Sequence, residues 1–188
     1  MSRWEPNARG RLAQAALELY SERGYDQVTV AEIATRAGLT ERTFFRHYTD
    51  KREVLFYGAS VLQDAFVAGI DEAPAGLAPI DVVGTALEAA TAMFGADNAV
   101  AAQRMAVVSA NPELRERELN KLAVLAGAGA EALRSRGVAE PAASLAAEAG
   151  IAVFKIAFQR WVDGPGGQPL SPVIRESLAD LKSVAAGT

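Results

Sequence analysis

The chain has 188 residues, long enough for one small unit plus a larger core and too short for two full-sized domains with long linkers. Half of the residues are hydrophobic and 22% are charged, which excludes a disordered segment, and the lack of cysteine excludes disulfides, cysteine nucleophiles and thiolate metal sites. The formal net charge of -4 argues at first against nucleic acid, but it is unevenly spread: through Tyr57 there are 9 Lys/Arg against 8 Asp/Glu, and from Gly58 onward 10 against 15. A near-neutral head binds phosphate if its cations share one face, because the local field sets that affinity.

Met1 to Gly10 carries charge and Pro6 without an apolar run, so no secretory signal is expected. From Ala8 to Glu22, Leu12, Ala15, Ala16 and Leu19 recur at helical spacing, with Gly24 as the expected stop. Thr29-Val30-Ala31-Glu32 has the form of a capping box and opens a short second helix that ends at Gly38. Thr40 caps a third helix through about His47. Asp50-Lys51-Arg52-Glu53 repeats the capping pattern and predicts one longer helix to about Ile70.

The prolines and glycine of Asp71 to Pro79 mark a loop. Further helices are predicted over Ile80 to Phe94, Asp97 to Ser109, Pro112 to Arg136, Pro141 to Val162 and Pro172 to Ala185. Alternating patterns of strand length are absent, so the expected fold class is all-α, with about nine helices. The segment Pro141 to Phe158 is the most apolar, and Glu148 and Lys155 are expected to make it too short and polar to span a bilayer. The expected compartment is the cytoplasm.

Val30 to His47 carries the strongest functional signal. Ala34, between Ile33 and Ala37, lets two helices cross closely, and Gly38 can take the left-handed conformation that a sharp inter-helix turn demands. Leu39 and Phe44 anchor the following helix. Thr40, Glu41, Arg42, Thr43, Arg46 and His47 occupy the outward side of a helix held by Phe44 and Tyr48, as in a helix that offers donors to a major groove. The same small and apolar positions also suit an ordinary helical hairpin, so a helical protein-interaction module without DNA binding stands as the alternative.

The run Gly24-Tyr25-Asp26-Gln27-Val28-Thr29-Val30-Ala31-Glu32-Ile33-Ala34, followed by Ala37 to Tyr48 and Lys51, closely resembles the TetR family of transcriptional regulators. The resemblance covers roughly Arg9 to Leu55. It implies a helix-turn-helix head over residues 1–55 that binds a palindromic double-stranded operator as half of a homodimer. It also implies a divergent helical domain over 56–188 that holds a small-molecule effector and the dimer contact, with repression as the usual outcome.

Position by position, the resemblance implies that Thr29 and Thr43 donate to phosphates, and that His47 and Lys51 bind the DNA backbone beside them. Arg42, with Glu41 and Arg46, would meet base edges. Phe45 stands where many relatives have tyrosine, so apolar contact with a thymine methyl or sugar is expected there.

Pro141 to Val162 is apolar almost all round, with Leu145, Ala149, Val153 and Ile156 on one side and Ile151, Phe154, Phe158 and Trp161 on the other. Such a helix is buried on every side, either wholly inside its own chain or between two copies. The first set, with Ile174, Leu178 and Leu181 of the last helix, is the expected dimer interface. Met93, Phe94, Met105, Phe154 and Phe158 are candidate lining for an apolar effector cavity, with Gln103 and Arg104 as orienting polar groups. An enzyme has little to rest on: one histidine, no cysteine and no glycine-rich phosphate loop. No cofactor and no metal is implied.

Overall fold

In the computed structural model of the chain, residues 7–187 are described, so the reading of Met1 to Pro6 lies outside the described residues. All regular structure among the described residues is helical: α1 (Ala8–Arg23), α2 (Val30–Arg36), α3 (Glu41–His47), a 3-10 turn (Glu53–Phe56), α4 (Ala59–Glu72), α5 (Pro79–Ala90), a second 3-10 turn (Thr91–Phe94), α6 (Ala99–Ala110), α7 (Pro112–Ser135), α8 (Ala142–Val162) and α9 (Leu170–Ala186). The chain divides into two compact units, one of residues up to Gly58 with Gln103–Glu118, the other of Ala59–Ala102 with the residues from Leu119 onward. Helices α6 and α7 therefore each contribute residues to both.

In the first unit α1 starts at Asn7, whose side chain accepts from the Gly10 amide at 3.0 Å, and stops at Gly24, where φ is +84°. Only a residue without Cβ adopts that value cheaply. Leu12, Ala16 and Leu19 of α1 pack with Ile33, Phe44, Val54 and Leu114 in one core. Arg36 of α2 returns to α1 through Glu22 and Glu18.

The single helix expected from Asp50 to Ile70 is not formed. The Asp50 carboxylate does cap the amides of Arg52 and Glu53, at 2.8 and 3.3 Å. Beyond this cap the backbone makes only a 3-10 turn, and α4 begins at Ala59. The turn is gripped by side chains more than forty residues away. Arg104 Nε donates to the Leu55 carbonyl at 2.7 Å while Arg117 binds Glu53 through two nitrogens, at 2.7 and 3.0 Å. Both guanidinium groups lie over the buried Phe56 ring, 5.0 and 5.3 Å from its centre, a favourable cation–aromatic arrangement.

In the second unit α4 and α5 pack closely because small residues meet: a Cβ on Gly69 would lie 2.9 Å from Ala86 Cα. Gly84 of α5 accommodates Leu178 of α9, and Gly150 of α8 accommodates Val83 of α5. Phe94, Phe154, Phe158 and Trp161 form an aromatic cluster with ring centres 5.7 to 6.2 Å apart. Buried Asn98 closes the carboxy-terminal end of α8, its Nδ2 donating to the carbonyls of Trp161 at 2.7 Å and Gly164 at 3.2 Å.

Two expectations are corrected in this unit. By length and composition the 21-residue α8 could cross a bilayer, contrary to the sequence reading, but here Phe154, Ala157 and Trp161 are part of the core. Val153, Ile174 and Leu178, expected at a dimer interface, are buried in the same core, at 3%, 0% and 8% exposure. On α8 the outward stripe runs instead through Leu145, Ala149, Ala152 and Ile156, with Leu145 and Ile156 66% and 59% exposed. Leu181 is half-buried against the core.

Candidate nucleic-acid interface

Three short segments of the first unit build the site. Thr29 caps α2 in a reciprocal box, its hydroxyl accepting from the Glu32 amide at 3.3 Å while its own amide donates to the Glu32 carboxylate at 2.9 Å. The Thr29 hydroxyl proton also points to Glu32, at 2.8 Å, so a phosphate taking that proton would replace the carboxylate. Arg23 adds an ion pair to Glu32 at 2.7 Å, and together these bonds hold its carboxyl at about 2, well below the usual 4.5.

The turn between α2 and α3 is closed by Gly38, at φ +67°, and by the Leu39 amide donating to the Ala34 carbonyl at 2.8 Å. The Gly38 position is tight as well as left-handed, because a Cβ there would approach the Arg11 guanidinium at 2.9 Å. Arg11 donates to the Ala37 carbonyl and so fastens the turn to α1.

Helix α3 begins at Thr40, whose hydroxyl accepts from the Thr43 amide at 3.2 Å and meets the Thr43 hydroxyl at 3.1 Å. Its inner side is Phe44, fully buried, with Tyr48 beside it and the Tyr48 hydroxyl donating to the Arg9 carbonyl at 2.9 Å. Residues one and two positions away from a buried anchor fall on other faces of a helix. Arg42, Phe45 and Arg46 are accordingly exposed, Phe45 at 56%, as is Glu41 in the first turn. Arg42 is not paired with Asp50, which is held by Arg52 at 2.7 Å. A shallow apolar patch between two guanidinium groups, with hydroxyls at the helix start, can meet base edges, a methyl group and phosphates together.

His47, half-buried, ends the helix with its Nε2 buried and unpartnered. Burial and the nearby Arg46 and Arg9 charges lower its pKa, favouring the neutral ring in the free protein. Lys51 departs from expectation. Its ammonium is turned inward and donates to the carbonyls of Tyr25 at 2.9 Å and Val28 at 3.0 Å, so those donors are not directed at a DNA backbone.

The seven residues expected to line one cavity are divided between the two units. Met93, half exposed, Phe94, Phe154 and Phe158 belong to the second unit, where the rings pack on one another and on Trp161. Gln103, Arg104 and Met105 belong to the first, where Gln103 donates to the Ser21 hydroxyl at 2.9 Å and Arg104 is bound to Leu55 and Glu118. Sequence reasoning missed an open cleft of about 510 Å³ within the first unit, lined by Tyr20, Tyr25, Gln27, Gln103, Val107 and Asn111 among others. Its two walls are some eighty residues apart in the chain, and no local pattern links them.

Residues 12–57 match the family model described as bacterial regulatory proteins, tetR family, and residues 77–186 match that of the MftR C-terminal domain. The transcriptional regulator TcmR of Streptomyces glaucescens is 31% identical over 134 residues, covering 68% of this chain and 59% of TcmR. A regulator of Mycobacterium bovis is 36% identical over 39% of this chain and 38% of its own length. The matched stretch thus spans less than two thirds of either relative. Among solved structures, FadR of Thermus thermophilus, a repressor bound to lauroyl-CoA, superposes with a TM-score of 0.54 at 23% identity, covering 93% of both chains.

Proposed function

The chain belongs to the TetR family of transcriptional regulators, a family of DNA-binding proteins and not of enzymes, and from that premise we propose that it represses transcription as a homodimer on a palindromic operator in the cytoplasm. The observation that carries the reading is α3, which presents Arg42, Phe45 and Arg46 outward from a fully buried Phe44. Arg42 reads a base edge, with Glu41 and Arg46 beside it, and Phe45 lies against a thymine methyl or a sugar. Thr29, Thr40 and Thr43 with His47 meet the phosphates. Two such helices reach successive major grooves when a two-fold axis sets them about 34 to 36 Å apart.

The dimer forms through the outward stripe of α8, Leu145, Ala149, Ala152 and Ile156, which leaves an apolar face uncovered on a single copy. Release follows binding of a mostly apolar small molecule that parts the aromatic cluster of the second unit. Support comes from the apolar character of those rings and from FadR, which carries an acyl-CoA. Because α6 and α7 have residues in both units, a displacement along either reaches Arg104 and Arg117 and the turn they grip.

A mobility shift with the DNA upstream of its own gene tests the reading. A retarded complex is expected, and Arg42→Ala weakens it by about 1 to 3 kcal/mol with relaxed preference at one base pair per half-site. No retardation of any fragment at low salt would refute DNA binding.

A further inference from the structure

We infer that Lys51 is a positioning residue for operator binding: it acts as an internal staple for the loop that launches α2, and it does not bind phosphate. The inference rests on the DNA-binding reading above and departs from the role the family resemblance implies for this lysine. The loop from Gly24 to Val28 has little regular hydrogen bonding of its own, the bond from the Val28 amide to the Tyr25 carbonyl being long at 3.4 Å. Its carbonyls converge on one point, where Lys51 Nζ lies 2.9 Å from Tyr25 O, 3.0 Å from Val28 O and 3.5 Å from Asp26 O.

The same ammonium stands 4.3 Å from the centre of the Tyr25 ring, which meets the Tyr20 ring edge-on at 5.1 Å. Tyr20 closes the circuit by donating its hydroxyl proton to the Lys51 carbonyl at 2.7 Å. Both rings are almost wholly buried. An ammonium with three donors around a tetrahedral nitrogen fits three carbonyls and an aromatic face; a planar guanidinium does not. Without the charge, the Tyr25 and Val28 carbonyls lose their shared donor immediately before Thr29. The start of α2 is then no longer fixed, and α3 is affected through Ile33, which shares a core with Phe44.

The two roles predict different salt behaviour. A lysine that neutralises a phosphate contributes about 0.9 to the slope of log K against log salt, whereas a residue that shapes the loop contributes nothing to it. The test compares the full-length parent with Lys51→Met and Lys51→Arg on the operator fragment between 50 and 300 mM salt, with backbone amide exchange of the DNA-free proteins at Gln27 to Glu32. The expected result is operator affinity at least tenfold weaker in both variants with the parent's slope, and amide exchange at least tenfold faster over those residues. A slope reduced by about 0.9 in Lys51→Met, or parent-like binding restored by Lys51→Arg, overturns the inference, as does unchanged exchange in Lys51→Met.

Should Lys51→Met fail to fold, Tyr20→Phe, which removes only the bond to the Lys51 carbonyl, is expected to speed the same amides by a smaller factor. No change there overturns the circuit. If the parent binds no DNA, the regulatory reading fails on the parent alone, while the exchange result still decides whether Lys51 holds the loop.

Discussion

Replacing glycine by alanine in a helix interior ordinarily stabilises, by about 1 kcal/mol, since alanine loses less backbone freedom on folding. Two glycines of the second unit should respond with opposite signs. Gly127, in the middle of α7, is exposed, and a Cβ built there has nothing within 4 Å. Gly127→Ala is therefore expected to gain about 0.5 to 1 kcal/mol, raising Tm by about 2 to 4 °C for a unit of this size. At Gly69 the new Cβ would lie 2.9 Å from Ala86 Cα and 3.1 Å from its Cβ. The nearest obstacle is backbone, so α4 and α5 must move apart as bodies. Overpacking of that kind costs about 1 to 3 kcal/mol, which outweighs the propensity gain and leaves Gly69→Ala destabilised by up to about 2 kcal/mol. Urea titration followed by far-ultraviolet circular dichroism, on each single variant and the double, measures both. Equal signs for the two substitutions would show that α4 and α5 do not approach as closely as described, and the double variant should be additive.

Other substitutions probe separate parts of the chain. Asn98→Ala should destabilise the second unit by about 1 to 2 kcal/mol, less than the two lost hydrogen bonds would suggest, because the Trp161 carbonyl keeps the Gly164 amide as a donor at 3.2 Å; urea unfolding checks this. Glu32 has its folded pKa lowered from 4.5 to about 2, so its contribution is complete above about pH 4.5 and lost as pH falls towards about 2. Glu32→Gln should remove that part of the acid unfolding profile, and an unchanged profile would discount the capping box. Ile156→Glu, at a site 59% exposed, should leave protomer stability within about 0.5 kcal/mol and yield monomers in sedimentation; a stable dimer would displace the proposed interface from α8.

The head was legible where local chemistry decides the backbone. Thr29 with Glu32, Thr40, Gly24 and Gly38 each announce a cap or a turn within a few residues, and each is formed as read. The break after Phe56 was not legible, since Arg104 and Arg117, which grip that turn, are distant in sequence. The phase of α8 was misjudged for a different reason: a helix apolar on most sides has no polar face to orient it, so Val153 and Ala152, one position apart, could not be told apart as inward and outward. Gln103 and Arg104 suggested a ligand because polar groups on an apolar helix look purposeful. In the structure that purpose is internal, one holding Ser21 and the other Leu55 and Glu118.

The discontinuity of the first unit sets a rule for anyone transplanting it. A cut after Gly58 looks natural by sequence, yet it would discard Gln103–Glu118 and with it Leu114 of the core, the guanidinium groups over Phe56 and the partner of Glu53. A chimera that joins this head to a foreign sensor at that seam would inherit a DNA-reading surface with an open flank. The portable module is the pair of segments, so the recipient must offer two crossings of the chain where a simple fusion offers one.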